Sequence, residues 1–278
     1  IESKDEKEMS TELMKSTTIR EEYCASRLLL EEARLFDRQA NHLASAGKYA
    51  ASAEILQKLA SDIGAQGRQE LESMTYLCRA WGKMMTAEAK ASSSLYKEAA
   101  ELFEKAREHA SDEQTGLLAL ANSSFCKALE AGIRFETSRD MAVYSEAKIH
   151  MANASNCYLK AGFDETATWV NATQNLFDAY VHIGNAESVG DPEAKSRFYN
   201  LAEKYLELSV DLYRKARYGG KRDEVLKMLD VVRQKREFAI SVVQMLETPS
   251  MTSSTRLISA PVYPHELVAG LENFDSAN

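Results

Sequence analysis

The amino-acid sequence predicts an all-α fold, a right-handed superhelical stack of antiparallel helical hairpins. Three observations carry that prediction. Apolar residues recur with a helical period from about residue 18 to residue 247, with no alternating strand pattern between. Proline, which breaks helices, occurs in that stretch only as Pro192; the other three, Pro249, Pro261 and Pro264, follow it. Two sets of aromatic residues recur at long, regular intervals, the mark of a structural repeat.

The elements follow from local signals. Helices are expected at 18–46, 48–63, 67–92, 95–110, 112–137, 139–161, 164–187, 192–217 and 221–247. Residues 1–17 read as a charged N-terminal extension, 18–247 as the repeat domain (four hairpins and a capping helix), and 248–278 as a Pro/Ser/Thr-containing linker or tail. Thr18 with Glu21 and Ser111 with Gln114 have capping-box spacing, and Asp191-Pro192-Glu193 places a cap before a first-turn proline. Helix stops are expected near Gly47, Gly64 and Gly67, Gly132, Gly162, Gly184, Gly190 and the pair Gly219-Gly220. Gly219-Gly220-Lys221 reads as a helix C-cap, because it follows a helix and lacks the glycine spacing of a phosphate loop. In the tail, Tyr263, Leu267, Val268, Leu271 and Phe274 are free either to dock on the last hairpin or to stay apart from it.

The even-numbered helices share one pattern, an aromatic residue followed by positions three, seven and ten further on. The copies are Tyr49, Ser52, Leu56, Leu59; Tyr96, Ala99, Phe103, Ala106; Tyr144, Ala147, Met151, Ala154; and Phe198, Leu201, Tyr205, Leu208. Those offsets put four side chains on one helix face, and the small ones admit a neighbouring helix. The odd-numbered helices each carry a central aromatic, Phe36, Trp81, Phe125 and Phe177. Four stacked hairpins result, with Val225, Leu226, Leu229, Val232, Phe238, Val242 and Leu246 of the ninth helix closing the open end.

Phe36, Ala40, Leu43, Gly47, Tyr49, Leu56 and Leu59 fall at the spacings of a tetratricopeptide repeat, and the segment from Tyr96 to Ala106 resembles that family's second helix. The longer period, 47, 48 and 54 residues between copies, is similar to that of the soluble NSF-attachment proteins. The resemblance covers residues 18–247 and implies a TPR-like α-α superhelix that binds other proteins.

Charge narrows the function. Of 278 residues, 42 are acidic and 34 basic, a formal charge of −8 that disfavours nucleic acid as an unaided partner. No apolar run approaches the roughly 20 residues of a membrane helix, so membrane insertion is not expected. The charged start from Glu2 to Glu8 is no signal peptide, and Ile1 in place of Met suggests a segment of a longer protein. Cys24, Cys78, Cys126 and Cys157 are widely spaced, without metal or redox motifs, and read as small buried side chains in the reducing cytoplasm. His42, His109, His150, His182 and His265 form no metal-type pair. Neither a cofactor, a metal nor a catalytic residue is predicted. The N-x-S/T sequences at Asn122, Asn153 and Asn171 fall within expected helices and read as chance matches.

In tetratricopeptide-like stacks the first helix of each hairpin lines a concave groove, and residues two before and two after the central aromatic face it. By that resemblance Arg34, Arg79, Ser123 and Asn175 precede, and Arg38, Lys83, Lys127 and Ala179 follow. Asn41 extends the same stripe. Arg34, Arg38, Asn41, Arg79, Lys83 and Lys127 are therefore the candidate partner-binding residues, a basic ladder suited to an acidic peptide segment. Pairing within the helices, Arg34 with Glu31 or Lys127 with Glu130, accounts for the same charges without a partner. The expected function is a non-catalytic protein–protein interaction scaffold or adaptor. The alternatives are a regulatory or sensor segment of a multidomain signalling protein and a membrane-fusion adaptor of the NSF-attachment type.

Overall fold

The computed structural model describes residues 2–247, which are helical apart from short turns and contain no strand. The helices are α1 (Glu2–Arg38), α2 (His42–Asp62), α3 (Ala65–Lys90), α4 (Ser93–Glu108), α5 (Glu113–Ser138), α6 (Met141–Lys160), α7 (Asp164–Ser188), α8 (Pro192–Lys215) and α9 (Gly219–Glu247). Each of α1 to α7 packs on the next, so that successive helices form a right-handed stack of hairpins. Ile1–Val243 is one compact unit, and the description below concerns that unit. The tail residues Tyr263, Leu267, Val268, Leu271 and Phe274 lie outside the described residues.

Three expected boundaries are corrected. No glycine or proline occurs before Gly47, and residues 2–17 are rich in the helix formers Glu and Lys, so α1 starts at Glu2 instead of near Thr18. Thr18 is inside that helix, its hydroxyl donating to the Met14 carbonyl at 3.1 Å. The first hairpin turns at residues 39–41 instead of Gly47: Ala40 adopts a left-handed φ of 59°, and the Asn41 side chain caps α2 by accepting from the Ala44 N–H. Leu43 and Gly47 thus belong to α2. At α5 the cap is Asp112, which accepts from Thr115 N–H at 2.8 Å, while Gln114 donates to the Ala161 carbonyl. The cap at Asp191 with Pro192 in the first turn is present as expected.

Gly132 and Gly184 lie inside helices, not at their ends. A Cβ at Gly132 would stand 2.4 Å from the Phe177 ring. This glycine lets α7 approach α5.

The ladder on the even helices forms much of the core. Tyr49, Ser52, Leu56 and Leu59, then Tyr96, Ala99, Phe103 and Ala106, then Ala147, Met151 and Ala154 are buried. Some small members also bond across the helix contact. Ser52 donates to the Ser26 carbonyl at 3.0 Å, and outside the pattern Ser45 and Ser73 do the same to Ala33 and Ala106 at 2.9 Å. The fourth copy is displaced by one residue. Leu201 and Leu208 are exposed, whereas Tyr199, Ala202, Leu206 and Ser209 are buried, and Ser209 donates to the Ala172 carbonyl. Leu206→Ala therefore costs about 2–5 kcal/mol in urea unfolding, against under about 0.5 kcal/mol for Leu208→Ala. Equal costs would contradict this register.

The ninth helix caps the stack. Val225, Leu229 and Val232 are buried in a cluster with α7 and α8 residues. Arg233 bonds Glu203 and Glu207 of α8 at 2.8 and 2.7 Å, Lys235 bonds Glu187 of α7 at 2.8 Å, and Arg236 also meets Glu203. Phe238, by contrast, is 70% exposed.

In a linear solenoid each repeat touches only its neighbours. Here the turn between α8 and α9 also reaches the first hairpin. After α8, Arg217 adopts a left-handed φ of 60°, and the Tyr218 N–H returns to the Tyr213 carbonyl at 3.0 Å, a Schellman arrangement. Gly219 and Gly220 thus open α9; they do not cap α8 as expected. A Cβ at Gly220 would lie 2.9 Å from both the Ala40 Cβ and the Gln39 backbone carbon. The glycine is what allows this elbow to rest against the turn between α1 and α2.

Candidate binding site

The odd-numbered helices line most of an open cavity of about 680 Å³. Its aromatic walls are built from several elements. Trp81 and Trp169, the chain's two tryptophans, stand on α3 and α7, Tyr49 on α2, Tyr158 on α6 and Tyr218 on the elbow. Met84, Met85, Leu35, Leu118 and Phe163 supply further apolar wall. The rings support one another. Tyr49 and Trp81 lie 5.5 Å apart, Trp81 meets Phe103 edge-on at 6.1 Å, and Trp169 stacks on Tyr218 at 5.2 Å with 21° between planes.

One buried amide fixes two of these walls. Asn122 Oδ1 accepts from Trp81 Nε1 at 3.1 Å and from the Tyr158 hydroxyl at 2.8 Å, while its own amide donates to the Leu118 carbonyl. Asn122 is only 3% exposed, so its sequon match is structural coincidence.

Charged residues complete the cavity: Glu31, Arg34, Asp37, Arg38, Asp164 and Glu165. Arg34 bonds Glu31 at 2.7 Å, Arg38 lies 3.6 Å from Glu165, and Arg217 of the elbow lies 3.4 Å from the same carboxylate. Asp37 is 3.6 Å from His42 Nδ1, and its side chain is 16% exposed. Burial, followed by the Asp37 charge, raises the hydroxyl pKa of both Tyr49 and Tyr218.

A second cavity of about 410 Å³ lies between α5 and α7; Tyr218 of the elbow lines the first and Lys221 the second. Lys221 bonds Glu88 of α3 at 3.0 Å, and the Tyr96 hydroxyl donates to the same carboxylate. Burial opposes charge on Glu88, but Lys221 and the Tyr96 hydroxyl outweigh it and hold the pKa below the usual glutamate value. Burial likewise opposes charge on Lys221, and Glu88 raises its pKa in spite of it. The elbow is thus locked to α3 by an ion pair whose members are 133 residues apart.

The six candidate residues separate into two groups. Arg34 and Arg38 line the 680 Å³ cavity. Asn41 caps α2. Arg79 donates to Gln57 of α2, Lys83 bonds Glu98 of α4 at 2.8 Å, and Lys127 bonds Glu104 of α4 at 3.0 Å. Two residues beyond the aromatic, α3 and α5 meet α4; on α3 the cavity takes the aromatic itself and the residues three and four further on, Trp81, Met84 and Met85.

Cys78 and Cys126 are buried, and burial pushes the Cys78 thiol up to about 11 and raises that of Cys126 further. Cys157 is half-buried. Cys24 is exposed, contrary to expectation, because it stands on the outer side of α1. Among the described residues no group of three or more His, Cys, Asp and Glu is placed to hold a metal ion, and no helix is long and apolar enough to cross a membrane.

No family model matches the chain, and neither does any curated protein or solved structure. Its place among all-α hairpin stacks therefore rests on helix order and packing. Sequence reasoning missed Trp169, Met84, Met85, Asn122 and Tyr218. The signal for some of them was present: both tryptophans stand on odd-numbered helices, and Met84-Met85 follows Trp81 by less than two turns.

Proposed function

We propose that this chain is a non-catalytic protein-interaction module, a cytoplasmic scaffold or adaptor of tetratricopeptide-like type. Its cavity among α1, α3, α5 and α7 receives a short anchoring segment of another protein. The observation that supports this reading is the cavity itself, with both tryptophans in its walls and a volume within the ordinary range of ligand sites. Aromatic side chains are the usual anchors of binding energy, and walls fixed in advance by Asn122 lose little entropy on binding. The elbow makes the site a compartment, so the anchor is one or a few side chains and not a strand threaded along the whole stack.

A cavity-filling variant tests the reading. Leu118 lines the cavity and is only partly exposed, so Leu118→Trp fills space without cutting a hydrogen bond of its side chain. The expected result is a protein captured by the wild-type chain and lost with Leu118→Trp, while helicity and Tm stay within a few degrees. Identical captured sets would contradict the proposal.

A further inference from the structure

We infer that the anchor taken by the 680 Å³ cavity is cationic, a lysine-type ammonium group of the partner protein. The inference rests on the reading of the cavity as a binding compartment and adds the chemistry of what enters. Four carboxylates line the cavity, Glu31, Asp37, Asp164 and Glu165, against two guanidinium groups. Both arginines are engaged already, Arg34 at 2.7 Å from Glu31 and Arg38 at 3.6 Å from Glu165. Asp37 and Asp164 are left over. Asp37 is the more telling, since its carboxylate is largely buried and its ion-pair partner is a histidine at 3.6 Å. It also stands in the last turn of α1, where the helix dipole adds negative potential.

The aromatic walls favour the same sign. Tyr49, Trp81, Trp169 and Tyr218 all line this space, and an ammonium over a ring face is attracted by the ring quadrupole, most strongly by tryptophan. The four-carbon stem of a lysine suits the apolar wall of Met84, Met85 and Leu118, with its charge carried to Asp37. A carboxylate anchor in this space meets like charge at Asp37 and Asp164, and each aromatic face repels it.

The full 278-residue chain supplies its own reporter, because both of its tryptophans line the cavity. Tryptophan emission is titrated at constant ionic strength and constant pH. The probes are N-acetyl-lysine methylamide, its norleucine counterpart without the ammonium, its glutamate counterpart, and choline as a free small ammonium ion. The expected result is saturable binding of the lysine probe, about fivefold or more tighter than norleucine. In Asp37→Asn that preference collapses while norleucine binds as before, which also shows that the variant has kept its cavity. Equal binding of lysine and norleucine would overturn the cationic anchor and leave the compartment standing. Tighter binding of glutamate overturns it too, in favour of Arg34 and Arg38 as acceptors of an acidic anchor. Choline binding without lysine binding overturns the protein source of the cation. If no probe changes the emission, the compartment reading itself fails.

Discussion

Lys221→Met lowers the unfolding free energy by about 2–3 kcal/mol, because it strands the Glu88 carboxylate in the middle of the fold without its cation. The two side chains are 29% and 27% exposed, which places the effect below that of a fully buried pair. The replacement keeps the length of the stem, so loss of packing is a minor part. Glu88→Lys combined with Lys221→Glu restores part of the loss, as an ion pair requires and a packing defect does not.

The same pair gives a pH dependence of definite sign. The folded-state pKa of Glu88 lies below its usual value. Its contribution is therefore complete above the ordinary glutamate range and is lost as pH falls through the lowered folded-state pKa. Urea midpoints of the wild-type chain fall on acidification, and this component of the fall is missing from Lys221→Met. Parallel acid profiles for the two proteins would show that the elbow is held by something else.

Phe103→Ala costs about 3–5 kcal/mol. The ring is fully buried in α4 and lies edge-on to Trp81. Its removal opens a hole behind the cavity wall, so ligand-induced change in tryptophan emission weakens along with stability. Phe238→Ala is the matched control, since that ring is 70% exposed. It costs under about 0.5 kcal/mol in urea unfolding. A similar cost for both would contradict the core as described.

The fold was legible because helix formation and hairpin stacking are written in local periodicity. Tyr96, Ala99, Phe103 and Ala106 illustrate this, for the spacing that marks the helix also marks its buried face. The fourth copy slipped because Phe198 and Tyr199 are adjacent aromatics, and Leu201 and Leu208 supply a second apolar stripe one residue away. Period alone does not choose between two apolar stripes; burial against α7 and α9 does. The first turn was missed for a related reason. It is made by Ala40 in a left-handed conformation, where a glycine would have announced it.

The site was less legible. Arg79, Lys83 and Lys127 have the charge of a binding ladder, yet each is engaged by a residue of α2 or α4. A sequence shows the cations of such pairs but not which neighbouring helix satisfies them. The elbow left still less trace, because Glu88 and Lys221 become partners only after four hairpins have stacked. Gly220 was noticed as a helix stop, whereas its role is to pass beneath Ala40.

The closure of the stack by that elbow is the central claim, and a side chain at Gly220 tests it most directly. A Cβ there would lie 2.9 Å from the Ala40 Cβ and from the Gln39 backbone carbon, so Gly220→Val forces the elbow off the first hairpin and pulls on the Lys221–Glu88 pair. Gly219→Val is the matched control, since nothing lies within 4 Å of a Cβ added there. The expected result is a lower urea midpoint and weakened binding of the cavity ligand in Gly220→Val, with both close to wild type in Gly219→Val. Equal behaviour of the two variants would contradict a compartment closed by its own chain.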